Sequence, residues 1–112
     1  MPRDKYLGEF EQVVLLAVAR LDADAYGMRI RREIEARAGR RTTIGAVYAT
    51  LERLAAKGYV RESDRPGGTE RSGLARRFYA LTAAGRQALE DARDLQVRMW
   101  AGLRIRVDRG RP

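Results

Sequence analysis

The sequence predicts a mainly α-helical fold with one small β-hairpin, and three observations predict it. Apolar residues recur at three- and four-residue intervals in four separate stretches, which is the spacing of amphipathic helices. Two short stretches, residues 59–65 and 76–81, have a strand-like composition and flank a glycine-rich segment. The chain has 112 residues, of which 45% are hydrophobic, enough for one compact core and more than a disordered chain carries. We therefore expect a single domain.

The first two helices are predicted from their apolar spacing. The first carries a stripe broad enough to imply burial on more than one side. Residues 22–25 (DADA) then provide a turn and a predicted aspartate cap. Tyr26, Ile30 and Ile34 space a shorter second helix, which ends at Gly39. The stripe of the first helix comprises Leu7, Phe10, Val14, Ala17, Val18 and Leu21, broadened by Val13, Leu15 and Leu16.

The third helix has chemical signals at both ends. Thr42 or Thr43 can cap its first turn by accepting a backbone N–H. Gly58, directly after Lys57, suits the left-handed residue that ends a helix. Between these ends an apolar stripe packs inward and leaves the opposite face available to a partner. This stripe consists of Ile44, Val47, Leu51, Leu54 and Ala55.

A β-hairpin is predicted after the third helix. Its strands cover residues 59–65 and 76–81, joined by a loop rich in glycine. The second and third helices, connected by residues 38–42, form a helix-turn-helix pair, in which the first helix crosses the DNA backbone and the second enters the major groove. The hairpin beside them would be the wing, so residues 1–81 are predicted to form a winged helix-turn-helix. The tip of the wing contains Pro66, Gly67, Gly68 and Gly73.

Three motifs in these elements resemble the PadR family of transcriptional regulators. The core signature of the family is similar to residues 46–54 (AVYATLERL) followed by residues 57–60 (KGYV). The start of its second helix resembles residues 25–30 (AYGMRI), and its second wing strand with the start of the last helix resembles residues 76–86 (RRFYALTAAGR). The resemblance spans residues 7 to 103. It implies a winged helix-turn-helix with a short C-terminal dimerisation helix and a DNA-binding function.

The last predicted helix follows a cap at Thr82 and carries two adjacent apolar stripes. A terminal helix on a core this small cannot bury both stripes, so we expect it to pair with a second subunit in a homodimer, with the first helix contributing. Residues 82–103 are the predicted dimerisation helix, and residues 104–112 form a basic tail that is expected to be frayed. One stripe holds Ala88, Ala92, Leu95 and Met99, and the other holds Leu89, Gln96, Trp100 and Leu103.

Composition favours an acidic partner and excludes several kinds of site. Lysine and arginine number 23 against 15 aspartates and glutamates, and the net charge of +8 suits a polyanion such as DNA. The chain has no cysteine and no histidine, which removes disulfides, thiolate nucleophiles, imidazole bases and the usual zinc ligands. No paired carboxylates or phosphate-binding glycine loop stand at an interpretable spacing. We therefore expect no catalysis, no metal and no cofactor.

The sequence also predicts a cytoplasmic location. No stretch approaches the roughly 20 apolar residues that a membrane-spanning helix requires. The Met-Pro-Arg-Asp start lacks the hydrophobic region of a secretory signal. We expect no membrane partner.

Four residues near the start of the third helix are candidate DNA contacts. Thr42 and Thr43 lie where free N–H groups and the helix dipole can receive a phosphate oxygen, although capping alone would also explain them. Arg41 immediately precedes this helix, where a backbone phosphate lies in the usual docking geometry. Tyr48 lies off the apolar stripe, and the resemblance implies that it faces DNA; packing against the wing is the alternative. The proline that commonly follows this tyrosine in the family is Ala49 here, which leaves the helix more regular.

Arg71 and Arg76 are candidate DNA contacts on the wing. They belong to a group of arginines around the glycine-rich tip, and acidic residues oppose them locally. A solvated hairpin edge guarded by charge is the alternative, but a position beside the recognition helix favours DNA contact. The arginines are Arg65, Arg71, Arg76 and Arg77, and the acidic residues are Glu62, Asp64 and Glu70.

Leu95, Met99 and Trp100 are candidates for a dimer interface or an effector site. Burial of Trp100 between subunits is the favoured interpretation, whereas paired Trp100 rings across a two-fold axis could stack a small planar effector. The sequence thus predicts a homodimeric, sequence-specific DNA-binding transcriptional regulator, most simply a repressor that occupies an inverted-repeat operator in duplex DNA. A winged helix that docks another protein instead of DNA is the alternative function.

Overall fold

A computed structural model describes residues 6–66, 75–108 and 110 of the chain. These residues contain four α-helices and one two-stranded antiparallel sheet, so the predicted mainly α fold with a small β-hairpin is confirmed. The strands begin and end within one residue of their predicted bounds. Pro66, predicted in the wing tip, is instead the last residue of β1, and the rest of the predicted tip lies outside the described residues. In chain order the elements are α1 (Glu9–Leu21), a 3-10 turn (Asp22–Asp24), α2 (Gly27–Ala38), α3 (Ile44–Ala56), β1 (Val60–Pro66), β2 (Ala75–Leu81) and α4 (Ala83–Trp100).

The core lies between the first three helices and the base of the hairpin. Val14 and Leu15 of α1 are fully buried, as is Ile30 of α2, while Leu16 on the outer side of α1 is exposed. The prediction that α1 is buried on more than one side is therefore confirmed, with Leu16 as the exception. The remaining core residues are Ala17, Val18, Ala25, Ile34, Val47, Leu51, Leu54, Val60 and Tyr79.

Four predicted signals at helix ends are confirmed. Thr43 and Thr82 cap α3 and α4, because each hydroxyl accepts the N–H of the residue three positions later at 3.0 Å. Gly39 and Gly58 end α2 and α3 with φ of +67° and +80°, the left-handed region that glycine enters without steric cost. These positions fix the lengths of the helix-turn-helix pair.

The hairpin is tied to the start of α2. β1 and β2 pair in antiparallel register, and Phe78 of β2 also forms a bridge with Tyr26. The Tyr79 N–H donates to the carbonyl of Ala25 at 2.9 Å. Tyr26 is therefore extended and precedes α2 without a side-chain capping hydrogen bond. The aspartate cap predicted from residues 22–25 is wrong, because backbone pairing with β2 determines the conformation here.

A buried carboxylate joins α1 to the end of α3. Glu11 is 8% exposed and lies 3.0 Å from the Lys57 ammonium and 3.6 Å from the Arg53 guanidinium. It also accepts the Gly8 N–H at 2.8 Å. Burial raises the pKa of Glu11, but the hydrogen bonds from Gly8 and Lys57, with the attraction of Arg53, outweigh burial and hold the pKa below 4.5. Glu11 is therefore ionised at neutral pH.

α4 begins against the sheet and then leaves the core. Of its described residues only Gly85 is buried, and a Cβ there would collide with the carbonyl oxygen of Tyr59. Leu89 packs at the edge of the core. The helix ends at Trp100 and not at the predicted Leu103, because the next residue leaves the helical backbone with ψ of 128°.

The molecule is elongated. Its radius of gyration is 17.2 Å, whereas a compact chain of this length has a radius of about 13 Å. Among the described residues, none of the helices combines the length and the apolar character needed to cross a membrane.

Candidate nucleic-acid interface

The recognition helix α3 exposes a face of small side chains. Gly45, Ala46 and Ala49 are exposed, and Tyr48 and Glu52 continue this face along the helix. Small side chains allow close approach to base edges, but they offer only methyl contacts and no hydrogen bonds. The opposite face of the helix holds Val47, Thr50, Leu51 and Leu54, all buried.

The turn before α3 is held by Glu35. Its carboxylate accepts the Thr42 N–H at 3.2 Å and lies 3.5 Å from the Arg31 guanidinium. The Thr42 hydrogen bond, with the charges of Arg31 and Arg41, lowers the pKa of Glu35. The Thr42 amide is thus already occupied, so Thr42 could meet a phosphate only through its hydroxyl. The Thr43 hydroxyl accepts within its own helix and keeps its O–H as a donor.

Tyr48 packs over the first residue of α2. A Cβ on Gly27 would collide with the Tyr48 ring and hydroxyl, so glycine alone leaves room for this contact. Tyr48 nevertheless remains 43% exposed. The first turn of α2 has no side-chain cap, and its N–H groups favour an anion close to the Tyr48 hydroxyl. On its other side Tyr48 borders a shallow depression lined by Glu52, Asp64, Arg77 and Tyr79.

Two arginines near the loop end of the wing strands stack on aromatic rings. The Arg76 guanidinium lies 4.1 Å from the centroid of the Tyr26 ring, and the Arg65 guanidinium lies 3.6 Å from that of Phe78. The two rings meet edge to face at 5.5 Å. Arg65 also donates to the carbonyl of Ala23 at 2.8 Å. Stacking uses the face of a guanidinium and not its N–H groups, and it holds both arginines beside the start of α2.

This arrangement of a recognition helix beside an anchored wing agrees with the family comparison. The sequence model of the PadR-like family of transcriptional regulators matches residues 15–91, well over half of the chain. The chain belongs to this family. Its function is therefore that of a transcriptional regulator and not of an enzyme.

Solved structures share the fold of this PadR-like regulator. The complex structure of hsRosR-S4 has a TM-score of 0.68 and 25% identity, covering 91% of this chain and 82% of that chain. RosR of h. salinarum grown from NaBr has a TM-score of 0.66 and 26% identity, covering 88% and 81%. A PadR family regulator from Clostridium difficile R20291 has a TM-score of 0.66 and 22% identity, covering 82% and 90%, and shows the fold alone. No curated protein sequence matches this chain.

Ion pairs neutralise part of the basic surface formed by α2 and the turn that follows it. Arg41 is exposed, and within the described residues it makes no ion pair. Arg32 is likewise exposed and makes no ion pair within the described residues, and Arg29, which is partly buried, makes none there either. The neutralised arginines are Arg31, paired with Glu35, Arg37, paired with Glu33, and Arg40, paired with Glu9.

The wing of this regulator offers less uncompensated charge than its sequence suggests. Arg77 lies 3.5 Å from both Glu62 and Asp64, and these carboxylates raise its pKa. Arg71 lies outside the described residues. Arg76 is the wing candidate that the structure describes, and it is placed between the sheet and the start of α2.

Leu95, Met99 and Trp100 lie on the projecting part of α4. Their exposed fractions are 41%, 69% and 54%. The Trp100 indole N–H donates to the Gln96 side-chain oxygen at 3.2 Å, so its polar edge is satisfied within the helix. The described part of the chain leaves these side chains partly exposed, and exposed apolar surface of this kind marks a place of association.

Proposed function

We propose that this PadR-like regulator is a homodimeric repressor that binds an inverted-repeat operator with sequence specificity. The observation that carries the proposal is the exposed, small-residue face of α3, flanked by Arg41 on one side and the anchored wing strands on the other. A face of this shape can approach base edges in the major groove while the flanking side chains bind phosphates. The proposed phosphate contacts are Arg41, Thr42, Thr43, Tyr48, Arg71 and Arg76.

Each described contact has a chemical role. Arg41 supplies a charge before α3, and the hydroxyls of Thr42 and Thr43 donate to a phosphate oxygen. Tyr48 and the uncapped start of α2 converge on another phosphate. Since Ala46 and Ala49 provide only methyl contacts, base preference rests largely on thymine methyls and on the shape of the duplex.

The projecting α4 helices supply the dimer contact. Pairing through Leu95, Met99 and Trp100 would present two α3 helices to half-sites roughly 34 Å apart, or a multiple of that distance. Occupation of such an operator blocks a promoter in the cytoplasm. A small planar effector held between two Trp100 rings would release the DNA if it favours a dimer with a different spacing. Quenching of Trp100 fluorescence by planar cationic or phenolic compounds tests this last step; no change with any of them rejects it.

Fluorescence anisotropy across a salt series tests DNA recognition itself. The purified chain is titrated with the duplex upstream of its own gene and with a scrambled duplex of the same composition. Tight, selective binding at physiological salt is the expected result. If both duplexes bind equally and binding is lost as the salt concentration rises, the chain binds DNA only through its positive charge, without sequence specificity. That result would favour the protein-docking alternative.

A further inference from the structure

The centre of the exposed face of α3 carries a carboxylate among side chains that are otherwise very small. Residues three, four and seven positions apart lie on one line of a helix, and such a line runs along this face, opposite the buried residues. The structure describes α3 in full, and three of the four positions on this line have no side chain or only a methyl group. The line consists of Gly45, Ala49, Glu52 and Ala56.

The Glu52 carboxylate has no partner within the described residues. Its side chain is exposed, and neither an ion pair nor a hydrogen bond joins it to another described side chain. The neighbouring Arg53 guanidinium lies 3.6 Å from Glu11. Arg77, which borders the same depression as Glu52, lies 3.5 Å from Asp64. Both guanidinium groups are engaged elsewhere, so the oxygens of Glu52 are available to a molecule that meets this face.

The chemistry of the major groove determines what a free carboxylate can recognise there. Phosphates repel a carboxylate, so its presence on a DNA-facing surface is favourable only if it reaches a hydrogen-bond donor. Cytosine presents an amino donor, whereas guanine presents two acceptors and thymine presents an acceptor and a methyl group. Adenine has an amino donor, but an acceptor lies directly beside it. A carboxylate therefore favours cytosine over the other three bases.

We propose that Glu52 is a specificity-determining residue that accepts a hydrogen bond from the amino group of one cytosine in each half-site. The proposal rests on the DNA recognition of the proposed function and adds a polar contact to the methyl contacts of Ala46 and Ala49. Because its neighbours on the line are so small, the Glu52 side chain extends furthest toward a base edge. Glu52 lies about 10 Å along the helix axis from Gly45, which corresponds to about three base-pair steps.

Selection from a library of random-sequence duplexes tests this assignment. The wild-type chain should enrich a motif with cytosine at one position of each half-site. Glu52→Gln should enrich adenine at that position, because a glutamine side chain both donates to N7 and accepts from the amino group of adenine. Glu52→Ala should lose the preference at that position and keep the rest of the motif. A merely structural role of Glu52 would not exchange one base for another at a single position.

Anisotropy titrations with the selected duplex measure the size of the effect. Replacing the cytosine should weaken wild-type binding about tenfold, and it should weaken binding of Glu52→Ala by less than about twofold. Glu90→Gln is the control, because it makes the same change of charge on α4, where Glu90 pairs with the exposed Arg86. This variant should keep the wild-type preference for cytosine. Circular dichroism checks that all variants keep the fold.

Three results would overturn the assignment in distinguishable ways. A wild-type chain that enriches no motif removes the sequence-specific recognition of the proposed function, and this inference with it. A motif that both Glu52 variants share with the wild type rejects base reading by Glu52 and leaves the proposed function standing. A position that depends on Glu52 but favours guanine or thymine rejects cytosine as the base that Glu52 contacts.

Discussion

The three-helix core and the projecting helix α4 bury the same kind of residue to very different extents. Leu15 and Leu51 are fully buried within helices of the core, whereas Leu95 is 41% exposed and Met99 is 69% exposed on α4. Both regions have regular helices with good caps, so local helix formation does not account for the difference. The core completes its own packing, whereas the described part of the chain leaves apolar side chains of α4 exposed.

The largest expected contrast comes from truncating one leucine in each region. Leu51→Ala should lower the free energy of unfolding by about 2–5 kcal/mol, because it leaves a cavity among buried neighbours. Leu95→Ala should change it by less than about 0.5 kcal/mol at high dilution, because the side chain is partly solvated there. Urea denaturation followed by circular dichroism measures both. Equal losses of unfolding free energy in the two variants would contradict the difference in packing between the core and α4.

Leu95→Asp should break association while leaving the core folded. A carboxylate placed in the proposed seam of two α4 helices would be desolvated without a partner, at a cost of about 3 kcal/mol, or more than about a hundredfold in the dimer dissociation constant. Light scattering measures the assembly, and circular dichroism checks the fold. Leu95→Met is the matched apolar control and should stay dimeric. A dimeric aspartate variant would place the seam elsewhere.

Glu11→Gln should weaken the core in a pH-dependent way. The folded pKa of Glu11 lies below 4.5, so its ion pair stabilises the protein at neutral pH, and this contribution is lost as pH falls through the folded pKa. The variant should be less stable than wild type by about 1–3 kcal/mol near pH 7, since a buried hydrogen bond to a charged partner is lost. The difference should shrink below pH 4.5. Urea midpoints at several pH values measure it, and a difference that is constant with pH would assign the effect to packing.

The smallest expected effects concern individual DNA contacts. Arg76→Ala should flatten the slope of log affinity against log salt by ~0.9 if one phosphate contact is lost. Tyr48→Ala should weaken binding by about 0.5–1.5 kcal/mol with a smaller change of slope, since it removes a neutral donor. Both variants should keep the fold, and Arg37→Ala, which loses a solvent-exposed ion pair, is the control. Unchanged operator binding in both variants would refute the assigned DNA contacts.

The features of the fold that depend on neighbouring residues in the chain were predictable from the sequence. Thr43 and Thr82 cap helices by bonding to an amide three residues away, and Gly39 and Gly58 adopt left-handed backbones at helix ends. Such signals depend on a few adjacent positions. The apolar stripes of the core helices followed the same logic, apart from the exposure of Leu16 and the burial of Thr50, whose hydroxyl accepts a hydrogen bond from Arg53 at 3.2 Å.

Contacts between distant parts of the chain were not predictable in the same way. Glu11 meets Lys57 across 46 positions, and no local pattern indicates that pair. The stacking of Arg76 on Tyr26 likewise depends on the register of β2 against the start of α2. The sequence therefore identified candidate DNA contacts one by one, and their grouping needed the structure. Gly27, which the contact with Tyr48 requires, could have been suspected only from its place in the family motif.

The pairing of residues before α2 with β2 limits how this regulator can respond to a signal. Backbone contacts join Tyr26 to Phe78 and Ala25 to Tyr79, so the wing cannot tilt away from the helix-turn-helix pair without breaking them. In the proposed dimer, a signal that acts through α4 would then change only the separation and angle of the two DNA-binding units. Its result would be a different tolerance for the length of the spacer between half-sites, while the preferred bases within each half-site stay the same.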